Sequence, residues 1–252
     1  MSKKLTIEAL PGISRVNKGA DLVALIGDAM DRCDRRAADG DVFVIAQKIV
    51  SKAEGRVVKL ADVNPSEKAK TLARKTDKDP RLVELILGEA DEVVRYRKDV
   101  LVVAHRLGIV HANAGIDRSN VDSEDVVLLL PEAPDASARE IRKGLEARYG
   151  VRLGVVISDS TGRAWRIGTV GLAIGASGVE TVQDLVGRPD LFGRPLEATV
   201  IGHGDELAAA ASIIMGQADE GIPVVLISGL RASTTNQTAA DLLRSKTEDL
   251  FR

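Results

Sequence analysis

Short apolar runs, many of them β-branched and bounded by Gly, Asp or Pro, recur along the chain and read as strands. LTIEAL (5–10) alternates, and DVFVIAQKIV (41–50) is nearly continuous and reads as one strand. EVVRY (92–96), VLVVAH (100–105), IVHA (109–112) and DVVLLL (125–130) follow one another closely; VRLGVVIS (151–158) and PVVLIS (223–228) complete the set. Helical periodicity fills the intervals. Within 19–33, Leu22, Leu25, Ile26 and Met30 share one face. Asn64-Pro65-Ser66-Glu67 predicts an N-cap, a proline at the first helical position and a carboxylate at the third, and Asp79-Pro80 repeats the signal before RLVELILGEA. Ser137 and Glu140 have capping-box spacing ahead of a helix that Gly150 would end. Residues 205–216 and 238–251 predict the last two helices.

The four strand candidates between 92 and 130 are separated by gaps too short for parallel crossovers, which need a dozen or more residues. They should therefore pair antiparallel. The expected class is α+β: mixed, largely antiparallel sheets with flanking helices, rather than a doubly wound sheet. The chain shows no linker of low complexity and no internal repeat, so a second domain would have to be inserted or intimately packed.

Composition narrows the function classes. The chain has 252 residues, with Lys+Arg 35 against Asp+Glu 37 and a formal net charge of -2, a balance unsuited to neutralising nucleic-acid phosphates. Aromatics are only 2%, against a base-stacking platform for single strands. The single cysteine, Cys33, excludes an intrachain disulfide or a Cys-based zinc cluster, and reads as an ordinary small residue. No run approaches the ~18 apolar residues of a membrane span, and MSKKLTIEAL lacks the core of a signal peptide. A cytoplasmic protein is expected, with no membrane and no nucleic-acid partner.

Five loop-like segments adjoin apolar runs: 10–19, 47–56, 111–120, 158–178 and 215–223. Loops on a rigid scaffold are where sites usually sit, although Gly, Asn and Asp also simply make turns. Asp117 and Asp159 each follow a strand candidate, where a carboxylate can hold Mg²⁺ or Mn²⁺ through oxygen or merely begin a turn. Ser160 and Thr161 add hydroxyls beside Asp159. Lys48 and Lys52 would share one strand face, which suits a polyphosphate or guards an exposed edge. Arg163 and Arg166 flank Trp165, the only tryptophan. An arginine pair can grip carboxylate or phosphate, and an indole can cover a planar ring or fill a core. Gly168, Gly171, Gly175 and Gly178 permit close approach of a ligand or of another strand. His105, His111 and His203 lack paired metal spacing; P-loop, dinucleotide and nucleophile-elbow motifs are all absent.

In combination and in this order, LPGISRVNKGADL, VIAQKIVSKAEGRVV, VHANAGIDRSNV, VISDSTGRAWRIGTVGLAIGASG and MGQADEGIPVVLI resemble the coenzyme F-420 γ-glutamyl ligase family, over about residues 8 to 230. The resemblance implies a GTP-dependent ligase that joins L-glutamate by an amide bond to the deazaflavin precursor F-420-0, through an acyl phosphate. It implies two divalent ions, Mg²⁺ or Mn²⁺, with K⁺ as a candidate further ion. It also implies a two-lobed subunit, residues 1–252 as one unit, that forms a homodimer with the site in a groove. Carried onto this chain, Leu10, Pro11, Gly12 and Ile13 resemble a nucleotide-contacting turn, and Gln47, Lys48, Lys52 and Asn120 further nucleotide contacts. Met215, Gly216, Gln217, Ala218, Asp219, Glu220, Gly221 and Ile222 resemble the loop around the nucleotide. Asp117, Asp159, Ser160 and Gln217 resemble metal ligands. Gln47-Lys48 stands where some relatives have small hydroxyl residues, and Ser160 where some have Thr, which keeps the hydroxyl. Arg163 and Arg166, as candidate catalytic residues, are placed by their chemistry at the acceptor or phosphate. Two other readings stay open: a ligase on the same scaffold acting on another carboxylate, and a noncatalytic nucleotide- and metal-binding protein. Asp159, Ser160, Arg163 and Arg166 within eight residues favour catalysis.

Overall fold

A computed structural model describes residues 4–13, 15–118 and 125–250. β1 (Thr6–Ala9), α1 (Leu22–Arg32), β2 (Val42–Ala46), α2 (Gln47–Glu54) and β3 (Val57–Lys59) come first. They are followed by α3 (Glu67–Thr76), α4 (Pro80–Gly88), β4 (Ala90–Arg97), β5 (Val100–His105), β6 (Val110–Ala112) and β7 (Val126–Leu128). The last third holds α5 (Pro134–Tyr149), β8 (Gly154–Gly162), β9 (Thr169–Ser177), β10 (Gln183–Asp184), β11 (Val200–Ile201), α6 (His203–Met215) and β12 (Val224–Ser228).

The main sheet has the order β1-β12-β2-β8-β9. Its neighbours run antiparallel except β2 and β8, which are parallel. The near-continuous apolar runs of its central strands follow from burial on both faces. Phe43 and Ile45 of β2, Val155 and Ile157 of β8, and Val224 and Leu226 of β12 pack on one side with Ile26 and Met30 of α1 and Ile141 and Leu145 of α5. The alternate residues Val42, Val44, Val156, Val225 and Ile227 pack on the other with Leu207, Ala208 and Ala211 of α6. Burying each such aliphatic side chain stabilises the fold by roughly 1.5–3 kcal/mol.

A third apolar cluster joins α3, α4, β5 and β7 through Ala73, Leu82, Ile86, Leu101, Val103 and Val127. Here β4, β5 and β6 form an antiparallel sheet, as their short gaps require, whereas β7, the fourth strand of the closely spaced run, leaves it and pairs antiparallel with β3. The architecture is α+β with mostly antiparallel sheets. No helix among the described residues is long and apolar enough to cross a membrane.

Beside the third cluster, Glu89 at the end of α4 gathers cations. Arg56 donates to both its carboxylate oxygens at 2.8 Å, Arg106 donates at 3.1 Å, and His105 Nε2 lies 3.5 Å away. Arg56 and Arg106 also pair with Glu132 at 2.8 and 3.4 Å. Burial pushes the Glu89 carboxyl up, but hydrogen bonds from His105 and Arg56 and the charges of Arg56 and Arg106 outweigh it and hold the group at about 2.

Several expectations are corrected. Residues 41–50 are a strand and the start of a helix: β2 stops at Ala46 and α2 begins at Gln47, with Gly55 as its left-handed C-cap. Lys48 and Lys52 are therefore one helical turn apart rather than alternate residues of a strand. The second half of the glycine-rich segment 158–178 is the nine-residue strand β9, not a loop. Its glycines serve close packing: a Cβ on Gly171 would stand 2.3 Å from the Ala208 carbonyl of α6, and one on Gly175 would stand 2.6 Å from the Pro134 carbonyl of α5. The cap of α3 is Ser66, whose hydroxyl accepts from the Ala69 N–H, not Asn64. Helix α5 starts at Pro134, with Ser137 inside it. Thr238 and Asp241 do form a capping box, but only a short 3₁₀ turn follows over Ala239–Leu242. The polar stretch RSKTED beyond it offers no apolar stripe to dock a longer helix.

Candidate active site

The parallel pair β2–β8 sets the geometry. Ala46, the last residue of β2, lies opposite Ser158 of β8, which runs on to Gly162 paired with β9, so the end of β2 and Asp159 of β8 meet at the same edge of their shared ladder. Loops at the carboxyl ends of parallel strands converge into a crevice. Gln47 opens α2 on one side of it and Asp159 follows Ser158 on the other. Both line a cleft of about 430 Å³.

The N-terminus of α2 carries no side-chain cap among the described residues. Its first-turn N–H groups and the positive end of the helix dipole therefore suit an anion. Gln47 is only 1% exposed. Ser51 Oγ donates to its Oε1 at 2.9 Å, which fixes the amide so that Nε2 is the other end of the group. That Nε2 is buried and has no hydrogen-bond partner among the described residues. A buried donor without an acceptor costs roughly 1–3 kcal/mol, a cost that an oxygen-rich ligand would remove. Lys48, Lys52 and Arg15 add positive charge to the same wall. Lys48 Nζ lies 2.7 Å from Asp117. Asp117 is held by two backbone hydrogen bonds with Leu128, each 2.9 Å, so it reaches this wall from the third-cluster side of the molecule.

On the opposite wall Asp159 is fixed by His111, whose Nε2 lies 2.9 Å from Oδ2. The other ring nitrogen lies 2.9 Å from the Ala112 carbonyl, and the Thr161 hydroxyl is 3.1 Å from Nε2. Both ring nitrogens thus face oxygen acceptors. Burial lowers the imidazole's pKa, but the hydrogen bond and charge of Asp159 outweigh it, and the net shift is upward, toward the charged form. Next to Asp159, Ser160 Oγ donates to Gln217 Oε1 at 2.5 Å, tying β8 to the loop after α6.

That loop closes the cleft. Met215 through Ile222 all line it, and with Ile13, Val16 and Ile49 they supply an apolar flank beside the charged end. Gly216 has φ +69, a left-handed value that suits glycine, and the Glu220 side chain folds back over it. The Glu220 carboxylate accepts the Ala218 N–H at 2.9 Å, and backbone N–H groups of the loop hold its pKa below the usual range.

Residues 12–229 match the family model described as F420-0:Gamma-glutamyl ligase. The chain is 46% identical over 252 residues to the coenzyme F420:L-glutamate ligase of Methanopyrus kandleri, covering 98% of each chain. It is 44% identical over 250 residues to that of Methanothermobacter thermautotrophicus, covering 98% of this chain and 99% of the relative. With the Methanocaldococcus jannaschii protein of the same name it shares 47% over 214 residues, 85% of each.

The chain belongs to the F420-0:gamma-glutamyl ligase family.

Against the residues that the family resemblance singles out, the structure brings Ile13, Gln47, Lys48, Lys52, Asp159, Ser160 and the whole 215–222 loop into one cleft, with Asp117 one ion pair away. Leu10 instead belongs to the core, and Pro11 and Gly12 do not line the cleft; the Gly12 carbonyl accepts from Arg32 at 2.8 Å. Asn120 lies outside the described residues. Arg163 and Arg166 are exposed at the tip of the β8–β9 hairpin, outside the cleft. Sequence reasoning did not find Arg15, or His111 as the holder of Asp159. Arg15 sits inside the quoted LPGISRVNKGADL segment, so its charge was a usable signal; His111 offered none without the fold. Asp117, Asp159, Ser160 and Gln217, the ligands that the resemblance implies, would offer a hard cation two carboxylates, a hydroxyl and an amide oxygen, all oxygen. No group of three or more His, Cys, Asp and Glu side chains forms a metal cage among the described residues. Such a set suits Mg²⁺ or Mn²⁺ that takes its remaining ligands from substrate phosphates.

Proposed function

We propose that this protein is a GTP-dependent ligase that joins L-glutamate through an amide bond to the deazaflavin precursor F-420-0, by way of an acyl phosphate, and extends the product with further γ-linked glutamates. The supporting observation is the pairing, across one cleft, of an anion-binding wall (the α2 N-terminus, Gln47 Nε2, Lys48, Lys52, Arg15) with the oxygen donors Asp159, Ser160 and Gln217.

A carboxylate resists attack at neutral pH, because its charge repels nucleophiles and oxide is a poor leaving group. In the first step a carboxylate oxygen of the acceptor bonds to the γ-phosphorus, the bridging P–O bond breaks and GDP leaves. In the second, the glutamate amine, having lost a proton, bonds to the acyl carbon and inorganic phosphate departs with the C–O electron pair. The α2 N-terminus, Lys48, Lys52 and Arg15 hold the phosphates, and Gln47 Nε2 donates to one of their oxygens. The apolar flank takes the base, and closure of the 215–222 loop excludes water that would hydrolyse the acyl phosphate. Asp117, Asp159, Ser160 and Gln217 would hold Mg²⁺ or Mn²⁺. Bound there, such an ion would supply charge neutralisation for the transferring phosphoryl group.

The test is to incubate the protein with F-420-0, GTP, L-glutamate and Mg²⁺ or Mn²⁺ and read product masses. Successive glutamyl increments, with GDP and phosphate formed in step, are expected. No mass gain with either metal, or gain only with a different carboxylate acceptor from a panel, overturns the proposal.

A further inference from the structure

The reacting groups account for the cleft but not for the hairpin tip beyond it. Strands β8 and β9 pair down to Gly162 and Thr169, and the six residues between them turn back in open solvent. Trp165 stands there 89% exposed, at φ +64, and Ile167 beside it is fully exposed. Water is a poor surrounding for an indole, and a bulky side chain in the left-handed region is strained. The tip keeps both features. It is shaped by its own contacts: Arg163 Nη2 donates to the Ile167 carbonyl at 3.3 Å, and the Arg166 N–H donates to the Arg163 carbonyl at 3.4 Å. The result is an exposed indole with Arg163 two positions before it and Arg166 directly after it, at the end of the strand that carries Asp159 and Ser160. Trp165 is five positions beyond Ser160, a reach of at most about 17 Å. An acceptor whose terminal carboxylate reacts in the cleft, and whose planar ring lies at its other end, would lay that ring near the tip.

We propose that Trp165 is the stacking platform for the planar deazaflavin ring of the acceptor, with Arg163 and Arg166 drawing in the acceptor's negative charge. The proposal rests on the acceptor named in the proposed function. It makes Trp165 a determinant of which acceptors are used rather than a participant in bond formation. The ring covers the indole face, and the arginines raise the local concentration of an anionic acceptor beside the cleft.

Trp165 is the only tryptophan in the chain, so its emission reports this one position. Titrating the protein with F-420-0 in the absence of GTP should quench that emission saturably, while GTP with Mg²⁺ alone should not. Trp165→Ala should raise KM for F-420-0 roughly tenfold, in the range of a lost aromatic stack, with kcat and KM for GTP within about twofold. Trp165→Phe should recover most of the loss. A wild-type protein that makes the glutamylated product, yet shows no quenching by F-420-0 and the same KM after Trp165→Ala, overturns the proposal and leaves the ligase reading intact. Quenching by F-420-0 without product would do the reverse. Dissociation of a dimer by Trp165→Ala in sedimentation, accounting for the whole loss, would assign the patch to a second copy of the chain and also overturn it.

Discussion

Two buried polar clusters in this molecule differ in how their partners are supplied. Around Glu89 charge is answered internally: Arg56, Arg106 and His105 all lie within 3.5 Å of its carboxylate, although His105 Nε2 and Arg106 Nη2 make no hydrogen bond of good geometry among the described residues. The Gln47 amide has no such charged partner: Ser51 occupies one end, and the other end, buried in the cleft wall, has no acceptor among the described residues. An ion-paired cluster holds the fold, whereas an amide left open beside a cleft holds it less well and is matched to something that arrives from outside. The contrast separates stability from function in a way that single substitutions can measure.

The largest expected effect is on the functional side. Asp159→Asn keeps an acceptor for His111 but removes the charge, and should lower kcat/KM for GTP turnover about a thousandfold with little change in melting temperature; GDP release and a thermal melt read the two. Glu89→Gln should do the opposite. Losing the interactions that hold that carboxyl at about 2 rather than 4.5 removes about 3 kcal/mol at neutral pH, or roughly 8 °C in Tm, with KM for GTP unchanged. The pH dependence follows in sign. Because the folded value lies below the unfolded one, this stabilisation is complete above pH 4.5 and fades as the pH falls toward 2. Denaturant curves of wild type and Glu89→Gln should converge across that window; a gap that stays constant would break the comparison.

Gln47→Met removes the unanswered donor at similar volume. Affinity for GTP with Mg²⁺, by calorimetric titration, should drop about tenfold, while Tm changes by less than about 2 °C, because relief of the unanswered Nε2 is offset by loss of the acceptor that Gln47 Oε1 gives the buried Ser51 hydroxyl. A drop in both would show that Gln47 is structural. The smallest effect is expected for Ser51→Ala, which frees the Gln47 amide to rotate and should weaken nucleotide binding about threefold.

Much of this was legible in the chain. The α1 periodicity, the Asp79-Pro80 cap, the antiparallel run between 92 and 112 and the cluster of site segments all appear in the fold. What was not legible depends on distant partners. β9 looks like a loop because Gly171 and Gly175 must be small to fit against α6 and α5, and close packing leaves the same trace in a sequence as flexibility. The break between β2 and α2 is hidden because Ile49 and Val50 continue the apolar run while serving a helix face. The parallel register that brings Gln47 beside Asp159 joins segments more than a hundred residues apart, and no local pattern encodes it.

The two glycines of β9 have a consequence for how this enzyme could diversify. Gly171 and Gly175 wedge the strand between Ala208 and Pro134 with no room for a methyl group, whereas a Cβ on Gly162, toward the far end of the same hairpin, would meet nothing within 4 Å. The hairpin is thus a cantilever, anchored where Asp159 sits and free where Trp165 sits. New residues at the free end can alter what docks there without loosening the anchored end.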